Sequence, residues 1–463
     1  MSLLDTTDPR PVHFVGIAGA GMRALAELFA RRGVAITGCD ASVGDASDLV
    51  ALGVAVEEGH APGHVASARA VVVSSAVPRD HPELVAARDA GLPIVRRAEA
   101  LGEAVSGGTL VAIAGTHGKT TTTVMTTEAL AAAGLHPTGV VGGRVEAWGG
   151  NLRYDGDRTY VVEADEYDRS FLALTPSIAV VTNVEADHLD IYRDLDDIRR
   201  TFAAFVAPAH TIVLCADDAG ATALDVATGA QVIRYGMHSP DARLIGIAES
   251  DGHPRAAIAV HFDGEMLGHL TLRVPGVHNV RNALAAVACG LALGAPFDRL
   301  RAGLEAFEGV ERRFQRLGHA GGVDVVDDYA HHPTEVAATI AAARQAYPGR
   351  RLVVAFQPHL YSRTRDFAAG FADALAASDA VFLTALYPSR EQPLPGVSST
   401  LIATHMQAGG YPPAWTGSRD SAAPALAAFV RDGDVVLTMG AGDITRTGPE
   451  LLALLARAGG EGA

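Results

Sequence analysis

The sequence predicts an α/β protein that is built from three successive blocks. Two observations predict this class. Short apolar strands alternate with alanine-rich helical stretches along most of the chain, which is typical of parallel sheets covered by helices. A Ser-Gly-Gly stretch at 106–108 and a polar, arginine-containing stretch at 308–318 interrupt this alternation, and we interpret both as linkers. We therefore expect domains over residues 1–106, 107–311 and 312–463.

The composition favours a globular enzyme and argues against nucleic acid or a membrane as a partner. The 463 residues are 48% hydrophobic and 19% charged, which is sufficient for several domains with apolar cores. The formal net charge is -16, whereas nucleic acids and anionic membranes bind basic surfaces. No apolar run approaches the roughly 20 residues of a membrane span, and the first residues, MSLLDTTDPRP, lack the pattern of a signal peptide. We expect a cytoplasmic protein that is a monomer or a weak homodimer.

The first block begins as a nucleotide-binding domain would. The strand VHFVGI leads into GIAGAG at 16–21 and then into a helix. This segment is similar to a dinucleotide fingerprint, with Ala18 at the place of the second glycine. Asp40 ends the next strand about twenty residues after Gly19, where a carboxylate binds the ribose of a nucleotide. A dinucleotide, a UDP-sugar and simple tight packing all fit this spacing.

The second block carries a shortened phosphate-binding loop. The strand TLVAIAG runs into GTHGKTTTT at 115–123 and then into a helix. The usual loop is G-x-x-x-x-G-K-[ST], but Ile113 stands where its first glycine belongs. Backbone N–H groups and the helix N-terminus would bind phosphates, with Lys119 on the β- and γ-phosphates and Thr120 on Mg²⁺. Lys119 is the only lysine of the chain, and its compact ammonium fits between phosphate oxygens better than a guanidinium.

Two polar stretches follow later strands of this block. EADEYD at 163–168 places four carboxylates close together, which favours a bound cation such as Mg²⁺. TNVEADH at 182–188 ends in His188, a candidate ligand of a second metal or contact of a transferring phosphoryl group. A solvated acidic turn and a structural histidine are the alternatives.

The third block repeats the strand and helix alternation and carries two further stretches. DDYAHHP at 327–333 and QPHLYSRT at 357–364 both follow strands. They gather histidine, tyrosine and arginine at sheet edges, and Arg363 is a candidate to bind a carboxylate with its planar fork. A structural role for both stretches is the alternative.

Taken together, these motifs resemble the Mur ligase family, the ATP-dependent amide-forming ligases of peptidoglycan precursor synthesis. The shortened loop is the form this family uses, and the motifs run in the order of the family. Some of its members place a carbamylated lysine near a second metal, which this chain cannot do, and the motifs are most similar to the branch that adds L-alanine to UDP-N-acetylmuramate. The resemblance is carried by GIAGAGM (16–22), SSAV (74–77), GTHGKTTTT (115–123), EADEYDRSF (163–171), TNVEADHLD (182–190), HNVRNALAA (278–286), RRFQ (312–315), DDYAHHPTE (327–335) and QPHLYSRT (357–364).

The resemblance implies an N-terminal Rossmann-like domain for the UDP end of UDP-N-acetylmuramate, a central P-loop ATPase-type domain for ATP and Mg²⁺, and a C-terminal Rossmann-like domain for L-alanine. In the implied reaction, the lactyl carboxylate attacks the γ-phosphate of ATP to give an acyl phosphate and ADP, and the amine of L-alanine then displaces phosphate. A ligase that joins a whole tripeptide to the same sugar nucleotide is the alternative. Folylpolyglutamate synthase-type enzymes share the loop but lack the first block, and a nicotinamide dehydrogenase would leave Lys119 without a role.

The resemblance also assigns roles to individual residues. The implied metal ligands are Thr120, Glu163 and His188. The implied catalytic residues are Glu163, His188, Lys119, Arg313 and His331. Lys119 and Arg313 would contact phosphate, and His331 would accept the proton from the alanine ammonium. The implied ATP contacts are Gly115, Thr116, His117, Gly118, Lys119, Thr120, Thr121, His278, Asn282, Arg313 and Asp328. The implied substrate contacts are Gly19, Ala20, Gly21, Met22, Asp40, Ser74 and Ser75 for the UDP-sugar and Tyr329, His331 and Arg363 for the amino acid.

Overall fold

In the computed structural model of the protein, the described residues are 2–189, 191–226, 229–249, 256–389 and 391–460. They form three sheets of five, ten and six strands, with helices between the strands. The predicted α/β class is therefore confirmed. No helix within these described ranges is long and apolar enough to cross a membrane.

The first sheet is entirely parallel, in the order β3-β2-β1-β4-β5. All four residues of its central strand β1 are buried, as expected for a strand that helices cover on both faces. The strands are β1 (Val12–Val15), β2 (Ile36–Asp40), β3 (Ala55–Glu58), β4 (Ala70–Val73) and β5 (Ile94–Arg96). The helices are α1 (Ala20–Arg31), α2 (Ser47–Ala51), α3 (Pro82–Asp89) and α4 (Arg97–Val105).

In the second sheet the phosphate-loop strand β6 is an interior strand, between β9 and β10 and parallel to both. Its order is β15-β14-β13-β12-β11-β10-β6-β9-β7-β8. The strands are β6 (Thr109–Ala114), β7 (Pro137–Val145), β8 (Gly150–Arg153), β9 (Thr159–Glu163), β10 (Ile178–Val181), β11 (Thr211–Cys215), β12 (Gln231–Gly236), β13 (Leu244–Ala248), β14 (Ala256–Phe262) and β15 (Glu265–Leu272). The helices are α5 (Lys119–Ala132), α6 (Leu195–Val206), α7 (Ala219–Thr222), α8 (Val277–Ala292) and α9 (Phe297–Ala306).

The third sheet has the order β16-β17-β21-β18-β19-β20, and β16 is its antiparallel edge strand. The strands are β16 (Gln315–Ala320), β17 (Val323–Asp328), β18 (Leu352–Phe356), β19 (Ala380–Thr384), β20 (Trp415–Gly417) and β21 (Val435–Met439). The helices are α10 (Pro333–Ala346), α11 (Tyr361–Leu375), α12 (Thr400–Ala408), α13 (Arg419–Phe429) and α14 (Thr447–Gly460).

By the density of its internal contacts, the chain divides into two units. The first comprises Met1–Ile247, Ala259–Leu270 and Arg281–Ala306, and the second comprises Ala248–Ile258, Thr271–Val280 and Phe307–Ala463. The first unit thus holds both the first sheet and the phosphate loop. The domain boundaries at 106 and 311 stay predictions.

Within the first unit, the first two sheets share one apolar core. Arg32, at the end of α1, donates hydrogen bonds to the Tyr160 hydroxyl and to Asp157, the latter at 2.9 Å. Gly102 of α4 lies so close to Ala173 that a methyl group at this position would overlap the Ala173 carbonyl oxygen. The GIAGAG loop and the phosphate loop are therefore held in one packed body.

Two details differ from the sequence-based expectations. The linker predicted at 308–318 is shorter, because Gln315 already begins strand β16. The strands between 231 and 272 were not predicted. They end in a hairpin at Asp263–Gly264, where both residues have positive φ.

Candidate active site

The phosphate loop presents free helix-terminal amides. Gly118 caps α5 with φ 81° and makes no side-chain cap hydrogen bond. The first intrahelical bond joins the Thr122 N–H to the Gly118 carbonyl at 2.9 Å, so the N–H groups of residues 119–121 precede it and point out of the helix end. A Cβ on Gly118 would lie 2.8 Å from Oδ1 of Asn282, so only glycine fits here. This is the geometry of an anion site.

The loop is fixed by the segment that follows β10. The His117 N–H donates to Oδ1 of Asn183 at 2.7 Å, and its carbonyl accepts from the Thr182 hydroxyl at 2.6 Å. The Thr116 N–H donates to the Asn183 carbonyl at 3.1 Å, and the Thr116 hydroxyl accepts from the Glu185 N–H at 2.9 Å. Thr182 and Asn183 were not predicted as site residues. Asn183 accepts from the N–H groups of Thr116 and His117, which leaves those of residues 119–121 to face an anion.

Lys119 forms a buried ion pair with Glu166. Its Nζ lies 2.9 Å from Oε1 and 2.8 Å from Oε2 of Glu166, and it donates to the Gly115 carbonyl at 2.7 Å. Burial alone would lower the pKa of Lys119, but the nearby acids, led by Glu166, raise it. Burial would likewise raise the pKa of Glu166, but Lys119 and His188 lower it. Both side chains are therefore charged at neutral pH. The sequence flagged the acidic stretch, but not Glu166 as its key member.

The three predicted metal ligands lie in two pairs of side chains, Thr120 with Glu163 and His188 with Glu166. The Thr120 hydroxyl donates to Oε1 of Glu163 at 3.0 Å, and Oε2 of Glu163 accepts from the Gly142 N–H at 2.7 Å. His188, held at a positive φ of 52°, places Nε2 3.6 Å from Oε1 of Glu166. The Thr120–Glu163 pair fits Mg²⁺, since two ligands about 2.1 Å from an octahedral ion lie roughly 3.0 Å apart.

Two of the predicted ATP contacts, His278 and Asn282, lie on α8. Asn282 is buried and lies against the phosphate loop at Gly118. His278 lies in the first turn of α8, in the second unit, and packs close to Gly276. The structure thus brings Asn282 to the loop, and the role of His278 stays a prediction.

The GIAGAG loop ends in a second open helix terminus. Gly19 caps α1 without a side-chain hydrogen bond, so the first amides of the helix, from Ala20 to Met22, point out of its end. The Ala18 N–H donates to Oδ2 of Asp40 at 3.0 Å. Ala18 has an ordinary backbone conformation, which explains why alanine is tolerated there. A Cβ on Gly21 would lie 3.1 Å from the guanidinium of Arg97, a cation at this loop that the sequence analysis did not single out.

The two serines lie at the end of a neighbouring strand. Ser74 follows β4, and its Oγ accepts from the Ala76 N–H at 3.3 Å, while Ser75 is exposed. They follow the strand that pairs with β1 and so lie on the same edge as the GIAGAG loop, because carboxyl ends of parallel strands share one edge.

In the second unit, Tyr329 lies against two guanidinium groups. Cζ of Arg312 lies 4.7 Å and Cζ of Arg313 lies 5.1 Å from its ring centre. Nδ1 of His331 lies 2.9 Å from the Tyr329 carbonyl and 3.2 Å from Oε2 of Glu335. Arg313 in turn lies 3.7 Å from Glu335. Tyr329, His331 and Arg313 are therefore neighbours, and Glu335 contacts the last two.

Arg363 is buried in the first turn of α11. Leu360 just before this helix has a positive φ of 70°, an unusual conformation for leucine, and its N–H donates to the Tyr387 carbonyl at 3.0 Å. The strained turn sets the direction in which α11 begins, and so the place of Arg363.

Asp328 binds two backbone N–H groups near the start of the third sheet. Its two oxygens accept from the N–H groups of Phe314 and Ala330, each at 2.8 Å. Burial raises the pKa of Asp328 to about 6, although Arg313 opposes this. Since both oxygens already bind backbone, the structure gives Asp328 a bracing role, and the predicted contact with ATP is untested.

Three family models match most of the chain. A family model described as "Mur ligase family, catalytic domain" matches residues 11–109. The "Mur ligase middle domain" matches 113–290, and the "Mur ligase, glutamate ligase domain" matches 312–442.

Individual relatives are similar over nearly their full length. The chain is 44% identical to UDP-N-acetylmuramate–L-alanine ligase of Saccharopolyspora erythraea, covering 97% of this chain and 94% of the relative. It is 45% identical to the ligase of the same name from Anaeromyxobacter sp., covering 96% and 98%. Among solved structures, UDP-N-acetylmuramate–alanine ligase of Thermotoga maritima matches with a TM-score of 0.81 at 28% identity, covering 97% and 99%. A murein peptide ligase of Psychrobacter arcticus matches with a TM-score of 0.70 at 25% identity, covering 96% and 99%.

Proposed function

The chain belongs to the Mur ligase family, and we propose that it joins L-alanine to the lactyl carboxylate of UDP-N-acetylmuramate, converting ATP into ADP and phosphate. Relatives that share 44% and 45% of its residues over nearly the whole chain carry the name of this activity. The product would be UDP-N-acetylmuramoyl-L-alanine, a precursor of peptidoglycan.

The main structural support for this proposal is the phosphate loop. A carboxylate must approach a γ-phosphate, and two anions meet only where positive charge and N–H groups neutralise them. The loop offers the amides of residues 119–121 and the charged Nζ of Lys119. Glu166 fixes this ammonium at the loop, so little reorganisation is needed when phosphate binds. Asn282, next to Gly118, would contact the nucleotide on the far side of the loop.

Mg²⁺ fits the acidic edge beside this loop. Thr120 and Glu163 would hold it through a hydroxyl and a carboxylate oxygen, the donor types that Mg²⁺ prefers. A bound Mg²⁺ supplies positive charge to phosphoryl oxygens. His188 and Glu166 form the adjoining pair near which a second cation would bind.

The second unit would supply the amino acid. Arg363 would bind the carboxylate of L-alanine through its guanidinium fork. His331 would accept a proton from the ammonium group, and Glu335 beside it stabilises the resulting imidazolium. The free amine then attacks the acyl phosphate that the lactyl carboxylate has formed with the γ-phosphate, and phosphate leaves. Arg313, held on the ring of Tyr329, would contact phosphate.

Product analysis tests the proposal. The protein is supplied with ATP, Mg²⁺ and UDP-N-acetylmuramate, and with one amino acid at a time or with the tripeptide of the rival ligase. We expect mass spectrometry to detect UDP-N-acetylmuramoyl-L-alanine. A product formed only with the tripeptide would assign the chain to the rival activity.

A further inference from the structure

A cluster of metal-binding side chains lies inside the first sheet domain, apart from the sites described above. His13 on β1, Cys39 on β2, His64 in the short helical turn Pro62–Val65 and Glu83 on α3 each offer one ligand atom, and these four atoms all lie within 4.8 Å of one another. His13, Cys39 and Glu83 are at most 2% exposed. We propose that His13, Cys39, His64 and Glu83 bind a zinc ion, or a divalent transition metal of similar preference.

The spacing suits a tetrahedral site. Sγ of Cys39 lies 2.9 Å and 3.2 Å from the two oxygens of Glu83, and Nε2 of His13 lies 3.8 Å from Oε2. Nδ1 of His64 lies 2.7 Å from Oε1. Ligands of tetrahedral zinc, at about 2.0–2.3 Å from the ion, are separated by roughly 3.3–3.6 Å. Small side-chain movements would therefore admit the ion.

Nε2 of His13 is a buried nitrogen that a metal ion would satisfy. Its Nε2 is buried and has no hydrogen-bond partner among the described residues, although it faces the Glu83 carboxylate. A buried polar atom without a partner is costly. Nδ1 of the same ring contacts the Thr37 hydroxyl at 2.9 Å, which would leave a lone pair on Nε2 for a metal. Burial lowers the pKa of His13, which favours the neutral ring that a metal ligand requires.

His64 shows the outer contact typical of metal-bound histidine. Its Nε2 lies 2.9 Å from Oε2 of Glu57, while Nδ1 faces Glu83. A carboxylate behind a histidine fixes the ring and increases its basicity toward a metal. Nδ1 of His60 lies 3.3 Å from Sγ of Cys39, and its side chain is 27% exposed, which provides a route for entry.

The charges also balance. A zinc ion with one thiolate, one carboxylate and two neutral imidazoles is neutral overall, which suits a buried position. Binding would release the thiol proton of Cys39, whose pKa burial and Glu83 otherwise raise.

Such an ion would stabilise the UDP-sugar side of the protein. The Cys39 carbonyl accepts from the N–H groups of Gly16 and Ile17 at 2.8 Å and 3.0 Å, and Asp40 is the next residue. The ion would thus link the GIAGAG loop to α3. We assign the ion a structural role, since three of its four ligands are at most 2% exposed.

Cobalt substitution of the full chain tests the proposal. Metal is removed by chelation, and Co²⁺ is titrated without ATP or Mg²⁺. We expect the tetrahedral visible bands and a thiolate-to-cobalt charge-transfer band to saturate at one Co²⁺ per chain, whatever further Co²⁺ binds without a thiolate ligand. Cys39→Ala should lose the charge-transfer band, whereas Cys289→Ala, a matched buried cysteine in α8, should keep it.

Two further results would decide the matter if Cys39→Ala fails to fold. Thr37→Val keeps the shape of the side chain but removes the hydroxyl behind His13, and we expect it to weaken Co²⁺ binding about 10-fold. A wild-type protein that shows no charge-transfer band, or a band that persists in folded Cys39→Ala, would overturn the proposal.

Discussion

The only lysine of the chain is held by a buried carboxylate. Nζ of Lys119 lies 2.9 Å and 2.8 Å from the two oxygens of Glu166, which is 3% exposed. The same carboxylate lies 3.6 Å from Nε2 of His188, and its backbone carbonyl accepts a hydrogen bond from the Tyr192 hydroxyl at 2.6 Å. Glu166 therefore positions both the phosphate-binding cation and the histidine of the acidic edge.

This relationship predicts strong coupling between the two residues. Glu166→Gln alone leaves a buried ammonium without its counter-charge, and we expect it to reduce the free energy of unfolding by about 3 kcal/mol. Lys119→Met alone should have a similar cost. The double variant should be clearly more stable than the sum of the single effects predicts. Urea unfolding at neutral pH measures all four proteins, and additive losses would refute the coupling.

Lys119→Arg separates charge from shape. A guanidinium keeps the positive charge but is too broad for the space between the loop and Glu166. We expect phosphate release to fall at least about 100-fold, while the dissociation constant for UDP-N-acetylmuramate, measured by calorimetry, stays within about twofold. Near-normal turnover of Lys119→Arg would show that the ammonium is not specifically required.

Arg363→Ala should weaken the binding of the amino acid. We expect the KM for L-alanine to rise at least about 30-fold, the loss of a charge-assisted bidentate contact, with the KM for ATP nearly unchanged. Arg365→Ala is the matched control, because Arg365 lies on the same helix but is exposed and pairs with Asp366. A defect confined to ATP would contradict the assignment of Arg363 to the amino-acid pocket.

Asp40→Ala should weaken the binding of the sugar nucleotide. It removes the carboxylate that accepts the Ala18 N–H at 3.0 Å and that we assign to the ribose. We expect the KM for UDP-N-acetylmuramate to rise about 10-fold or more, with the KM values for ATP and L-alanine unaffected. Asp89→Ala, an exposed residue at the end of α3, is the control. Equal kinetic effects of the two variants would remove Asp40 from the site.

Asp328 predicts a pH dependence of stability. Its pKa rises from 3.8 to about 6 on folding, so the folded state holds this proton more tightly than the unfolded state. Its contribution is fully present below 3.8 and is lost as the pH rises to about 6, a loss of about 3 kcal/mol. Asp328→Asn resembles the protonated acid, and it should gain stability relative to the wild type between about pH 4 and pH 7. A difference that stays constant with pH would contradict this.

The phosphate loop and its lysine could be predicted because they are local. A strand, a glycine-rich loop and a helix follow one another in the chain, so their order and residue types can be read directly from the sequence. Within the acidic stretch, sequence could not tell Glu163 from Glu166. Glu163 ends strand β9, whereas Glu166 leads into a turn in which Asp168 and Arg169 both have positive φ, and no simple sequence rule predicts this for non-glycine residues.

A site that distant segments assemble without a recognisable motif could not be predicted. The cluster of His13, Cys39, His64 and Glu83 draws on four separate elements, and each residue alone is unremarkable in sequence. Asp328 could be flagged as polar and strand-terminal, but its backbone contacts depend on how Phe314 returns to the sheet. Tertiary contacts, rather than local pattern, determine both.

The measurement that tests the central claim most directly is phosphate release from ATP in the presence of Mg²⁺, with one substrate omitted at a time. We predict release that requires both UDP-N-acetylmuramate and L-alanine, with one phosphate per amide bond formed. Release that is independent of the sugar nucleotide, or no release with any amino acid despite measurable ATP binding, would contradict the proposed ligase activity.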